Sequence, residues 1–307
     1  MLFSILLERI AIMALLMAVG VYLSRKGFLS EQGSRDLGAI LLRIIIPCVI
    51  IKSYITEYSH QRLLELGLSA LLALISYVVA MLLSYLVFGQ RRRLENFAAA
   101  FCNAGFIGIP LVQAVVGQEG VFYIAASVAL LNLFQWTYGV YIMTGRKNTI
   151  SPKAIARNPV VISIVIGVAL FLSRISLPGI LTSTLGYVAD MNTPVAMILM
   201  GTYLARLPAR RMLDRRAVGC VLMRLVVIPA AVGLVFWLMP VDNLPLMTAV
   251  FLTAATPVVA NICVFAQQYR CDYEFSVVTV CLSTVLSIIT VPAMVFLAQT
   301  AFSHPYF

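Results

Sequence analysis

The chain has 307 residues, of which 62% are hydrophobic and 11% charged, and its mean hydropathy is +0.99. Such a composition excludes a water-soluble fold and implies a polytopic helical membrane protein. The net charge of +10 would suggest nucleic acid in a soluble domain, but among membrane spans its placement reports orientation instead.

Ten apolar stretches are long enough to cross a hydrocarbon layer of about 30 Å. The first, 2-23, reads as a retained span, because Arg25 and Lys26 follow it rather than precede it. Span 37-55 carries Arg43 and Pro47, 63-88 is almost uniformly apolar, and 97-117 is interrupted by Gly105, Gly108 and Pro110. Span 121-143 carries Asn132 and Gln135. A basic, proline-punctuated stretch at 144-158 follows and separates the two halves. The second half has spans at 159-173, at 181-204 with Asp190 and Pro194, at 217-239 with Arg224, at 244-268 interrupted by Pro257, and at 274-300.

Alternate connections between these spans hold sixteen Lys and Arg residues, whereas the opposite set holds Lys52, Arg62 and Arg174. Basic loops stay in the cytoplasm, so both termini are expected outside and 144-158 inside. The halves also register. Pro110 and Pro257 lie 147 positions apart, and so do Pro47 and Pro194. Five spans per half invert the second copy relative to the first, giving two inverted repeats, 1-143 and 159-307.

Proline cannot donate a backbone hydrogen bond and fits best in the first turn of a helix. Each interrupted span is therefore expected to unwind over GFIGI or TAAT and to restart at its proline. The restarting ends, with free amides and a positive dipole, would face each other from opposite sides and make an anion site at mid-depth.

Nothing resembles a P-loop or a nucleophile elbow, and no span contains a histidine, which argues against an ATP-driven pump or an intramembrane enzyme. Cys48, Cys102, Cys220, Cys263, Cys271 and Cys281 form no CxxC pair, and His60 and His304 have no nearby ligand partner. No metal or cofactor is expected.

The run FCNAGFIGIPLV (Phe101 to Val112) and the span FYIAASVALLNLFQWTYGVY resemble the fourth and fifth helices of the auxin efflux carrier family. TPVAMILMGTYLA and RLVVIPA are similar to its seventh and eighth helices, and TAATPVVANICVFAQQY to its ninth. The resemblance implies an all-α fold of the bile-acid-symporter type, with a scaffold domain and a crossover domain around helices four and nine. It implies a secondary carrier of organic anions in the cytoplasmic membrane. The chain lacks the long hydrophilic loop of the large plant carriers and looks like the compact bacterial form, so a small carboxylate is a better expectation than auxin.

Around the two interruptions, Asn103, Gly105, Gly108, Pro110, Thr253, Thr256, Pro257 and Asn261 are expected to bind the anion or to pair the unwound backbone. Asn132 and Gln135, about one turn apart, would face the crossover or bond a neighbouring helix. A carboxylate at the depth of Asp190 is expensive unless paired, protonated or on an ion path. Arg43 stands at the matching position of the first repeat and is the expected partner, with a structural bridge favoured over proton coupling through Asp190 or a hold on the cargo carboxylate by Arg43. Arg224 is expected to snorkel from the cytoplasmic end of its span. Proton, sodium or potential coupling and a homodimer are left open, and a channel or solute-sensing receptor is the alternative on the same fold.

Overall fold

A computed structural model of the chain describes residues 2-145, 153, 156-175, 177-206 and 214-302. Helix α1 is Leu2–Arg25, α2 is Glu31–Tyr54 and α3 is His60–Phe88. The next run is broken into α4a, Arg93–Ala100, and α4b, Ala104–Val115. Helix α5 is Gln118–Thr144 and α6 is Pro159–Ser173. A kink at Met191 separates α7a, Gly179–Asp190, from α7b, Asn192–Ala205. Helix α8 is Arg215–Trp237, and α9 is again broken, into α9a, Leu244–Ala254, and α9b, Ile262–Gln268. Helix α10 is Tyr273–Phe302. Among the described residues there are no strands, and five helices (α2, α3, α5, α8 and α10) are long and apolar enough to cross a membrane.

Local sequence explains the starts. Ser59 caps α3 through the amide of Arg62, Asn158 caps α6 ahead of Pro159, and Asn243 caps α9a ahead of Pro245. These side chains satisfy amides that have no partner in the first turn. Pro47 and Pro229 do not break their helices. Each follows a widened π-type turn, Leu41–Ile45 or Met223–Val227, which absorbs the missing donor.

Packing sorts the helices into two groups. In the first, α1 lies along α7b while α2 packs on α6 and α7a. Gly20 and Gly201 mark the α1–α7b approach, where a β-carbon on either would run into the other helix's backbone. Close glycine contacts of this kind let apolar helices associate by van der Waals packing where no hydrophobic effect separates them from lipid. In the second group, α3 packs on α4a and α5, α9a on α3 and α5, and α8 on α3, α4a and α10. Helix α5 joins the groups by touching α2 and α6, and α1 also touches α4b.

Candidate functional site

The two broken helices meet at their breaks. Helix α4a ends at Ala100, and the chain is extended through Phe101, whose φ is -112° and ψ 123°. Asn103 donates its amide to the Pro257 carbonyl at 2.8 Å, and Val259 donates to the Phe101 carbonyl at 3.1 Å. Cys102 and Val258 thereby form an isolated antiparallel bridge. Two backbones that would each carry orphan groups at an interruption satisfy one another.

The interruptions lie elsewhere than the prolines suggested. In the first, GFIGI is not unwound: Ala104–Gly108 forms a π-type turn that continues into helix, and Pro110 stands within that restarted segment. The helix restarts behind Asn103, whose Oδ1 accepts from the Phe106 amide at 3.3 Å. In the second, Pro257 lies inside the open stretch and α9b begins at Ile262. The side-chain cap and the crossing bonds, rather than proline, position the ends.

A cavity of about 20 Å³ adjoins the crossing, with Asn103, Gly105, Asn132, Ala260 and Asn261 in its wall and Leu42 and Ile46 of α2 opposite. Among the described residues, the amides of Gly105 and Ala260 have no acceptor. Asn261 donates to Gln135 Oε1 at 3.1 Å, while the buried Gln135 Nε2 is unpartnered. Asn132 is already committed: it donates to the Val128 carbonyl and accepts from Asn158 Nδ2 at 3.1 Å. That volume holds about one water, so the site is closed around its polar groups.

Thr253 and Thr256 spend their hydroxyls on the Ala249 and Thr253 carbonyls, one turn back on their own chain. Gly108 and Pro110 are buried beside the site rather than in the cavity wall. Gly105 has Ile46 Cδ1 only 3.3 Å from where a β-carbon would stand.

Asp190 does not pair with Arg43. Its partner is Lys52, at 3.0 Å from Oδ1, and the carboxylate side chain is 64% exposed at the surface of the chain. The end of α2 places Lys52 beside α7a, whereas Arg43 is exposed on the π-type turn, with no ion pair among the described residues. Equal spacing along the chain matched the two positions but not the faces on which they emerge.

Arg224 does not snorkel. It is 1% exposed and donates through Nη1 to the Ala99 carbonyl at 3.2 Å and through Nη2 to the Ala254 carbonyl. Each carbonyl is freed by the break itself. The amide four residues beyond Ala99 is that of Asn103, which donates to Pro257, and the amide four beyond Ala254 is that of Val258, which donates to Ser283 Oγ at 3.1 Å. The signal for Arg224 was its position in the middle of an apolar run, ten residues into α8.

Two stretches of the chain, 5–155 and 148–295, match a family model described as "Membrane transport protein". The chain is similar to a protein of Rhizobium meliloti (strain 1021) named "Putative malonate transporter", with 27% identity over 218 residues and 67% of each chain covered. It is also similar to an "Uncharacterized transporter" of Methanothermobacter thermautotrophicus (strain Delta H), with 24% identity over 298 residues, or 93% of this chain and 96% of that one.

Proposed function

We propose, for a chain that belongs to the auxin efflux carrier family of membrane transport proteins, that it is a secondary transporter carrying a small organic anion across the cytoplasmic membrane by alternating access at the α4–α9 crossing. The observation that carries this reading is the bonded crossing of two broken helices, with the free backbone amides of Gly105 and Ala260 and the carboxamides of Asn103 and Asn261 gathered beside it. Such backbone at membrane depth is tolerated where it lines a site, and amide ends favour a carboxylate. The malonate named for one relative makes a short dicarboxylate the first cargo to test.

In this reading the ten helical runs are ten spans, arranged as inverted repeats over 1-143 and 159-307 with a cytoplasmic connection and both termini outside. Helices α1, α2, α6 and α7 act as the scaffold, and the group around the crossing moves against them. Movement is required, because room for about one water admits no carboxylate. Asn103, Gly105 and Asn261 meet the cargo, and Gln135 turns its free amide toward it. Asp190 and Lys52 form a structural pair outside the transport path.

Counterflow in proteoliposomes tests the proposal. Vesicles preloaded with malonate should transiently accumulate labelled malonate, with saturation, and imposed proton, sodium and potassium-diffusion gradients identify the coupling. Flux that neither saturates nor supports counterflow would assign a channel instead.

A further inference from the structure

We propose that Arg224 is the specificity-determining charge of the crossing: it cancels the negative carbonyl ends of α4a and α9a, so that the neighbouring amide ends present a net positive field to the cargo. The inference rests on the transport reading above and names what makes the site select an anion.

A broken helix is electrically ambiguous. Its first half ends in carbonyls, carrying about half a negative charge, and its second half opens with amides carrying about half a positive charge. Two such breaks crossing at one point bring four ends together, and their charges sum to roughly zero. Without a further charge, a carboxylate held by the amide ends would also feel the neighbouring carbonyl ends.

Arg224 sits where that balance is altered. Its guanidinium holds one carbonyl from each broken helix, Ala99 and Ala254, and both are carbonyls that lost their own helical partners. Among the described residues no carboxylate pairs with it: Glu95, the buried acid of α4a, is taken by Arg216 at 2.8 Å. A fully buried guanidinium without a counter-ion is expensive, and two carbonyl ends of about half a charge each are what compensates it. Its Nε and the hydroxyl of Ser127 have no partner, and both residues line a second cavity of about 10 Å³ with Tyr77, Cys102 and Thr253. The cation is thus held on the carbonyl side of the crossing, and the cavity of Asn103 and Asn261 lies on the amide side. The empty site then carries close to one positive charge, and a bound monoanion brings it near zero.

Chemical rescue separates this charge from mere hydrogen bonding. Arg224→Ala opens a hole shaped for guanidinium, and urea is nearly the same shape, donates to the same carbonyls and is neutral. We expect the variant to lose at least about tenfold in malonate uptake, or about 1.4 kcal/mol, with added guanidinium restoring uptake and urea failing to do so. Equal rescue by both would overturn the proposal, since a structural role needs only donors. Wild-type protein supplies an independent reading, including where the variant does not accumulate. Self-exchange of a monocarboxylate should be insensitive to a potassium-diffusion potential, because the loaded site moves uncharged, whereas net uptake should respond, because the emptied site returns charged. Equal sensitivity of the two modes would overturn the proposal. A wild-type protein with no saturable carboxylate uptake would defeat the transport reading, and this inference with it.

Discussion

The amide of Asn103 donates to the carbonyl of Pro257 across 154 positions of sequence, and this bond at 2.8 Å joins the two interrupted helices. It also frees the Ala99 carbonyl for Arg224, so one crossing bond sets the position of the buried cation.

Asn103 separates capping from charge. Asn103→Asp keeps an oxygen for the Phe106 amide, and an acidic N-cap suits a helix start. A negative charge in the cavity wall repels a carboxylate. The variant should insert and remain folded while its half-saturating malonate concentration rises at least about tenfold, equivalent to about 1.4 kcal/mol. Concentration-dependent uptake alongside a detergent melting curve checks both parts.

Cys102 and Val258 form the wide pair of their antiparallel bridge, a geometry with α-carbons about 4.5 Å apart and within disulfide reach. Val258→Cys should therefore cross-link to Cys102 under mild oxidation, detected as a fragment linkage by mass spectrometry. Since both residues belong to the group proposed to move as a body, the linked protein should still transport. Failure to form the bond would argue against the crossing, and linkage that stops transport would argue against rigid movement.

Asp190 and Lys52 are a test of what the ion pair does not do. Pairs exposed to water contribute about 0–1 kcal/mol; this one is on the chain's surface, and neither residue lines the cavity at the crossing. Asp190→Asn should change uptake by less than about fivefold, the equivalent of about 1 kcal/mol, and should leave its pH profile in place. A displaced profile, measured between acidic and neutral pH, would return Asp190 to the coupling mechanism.

Gly20 and Gly201 predict a purely structural defect. Gly201→Ala forces α1 and α7b apart, and overpacking of this kind costs about 1–3 kcal/mol. The melting temperature in detergent should fall, while the half-saturating malonate concentration of the folded fraction stays unchanged.

Much of the architecture was legible from residue pattern. Among the described residues the helices follow the apolar stretches, and both interruptions lie in the stretches that carried the deep prolines. The location of each break was less legible, because proline marks where a donor is missing and not where the chain opens. A π-type turn lets Pro110 sit in helix, while the opening behind Ala100 depends on bonds from a segment far away in sequence. Asn103 and Asn261 were readable because carboxamides near a break need partners, and Asn132 because an amide within an apolar span does; the cavity wall brings the three together. Arg224 was misread for a related reason. A long cationic side chain that reaches the interface and one that caps two freed carbonyls look alike until the helices around them are placed. The Asp190–Lys52 pair escaped because equal spacing along the chain says nothing about which helical face meets which neighbour.

The most direct test of an anion site at this crossing is equilibrium binding of labelled malonate to purified protein, measured for the wild type and for Asn103→Asp with both proteins shown to be folded. Saturable binding to the wild type that is at least about tenfold weaker in the aspartate variant is the expected result. Equal binding by the two would place the cargo elsewhere and contradict the account.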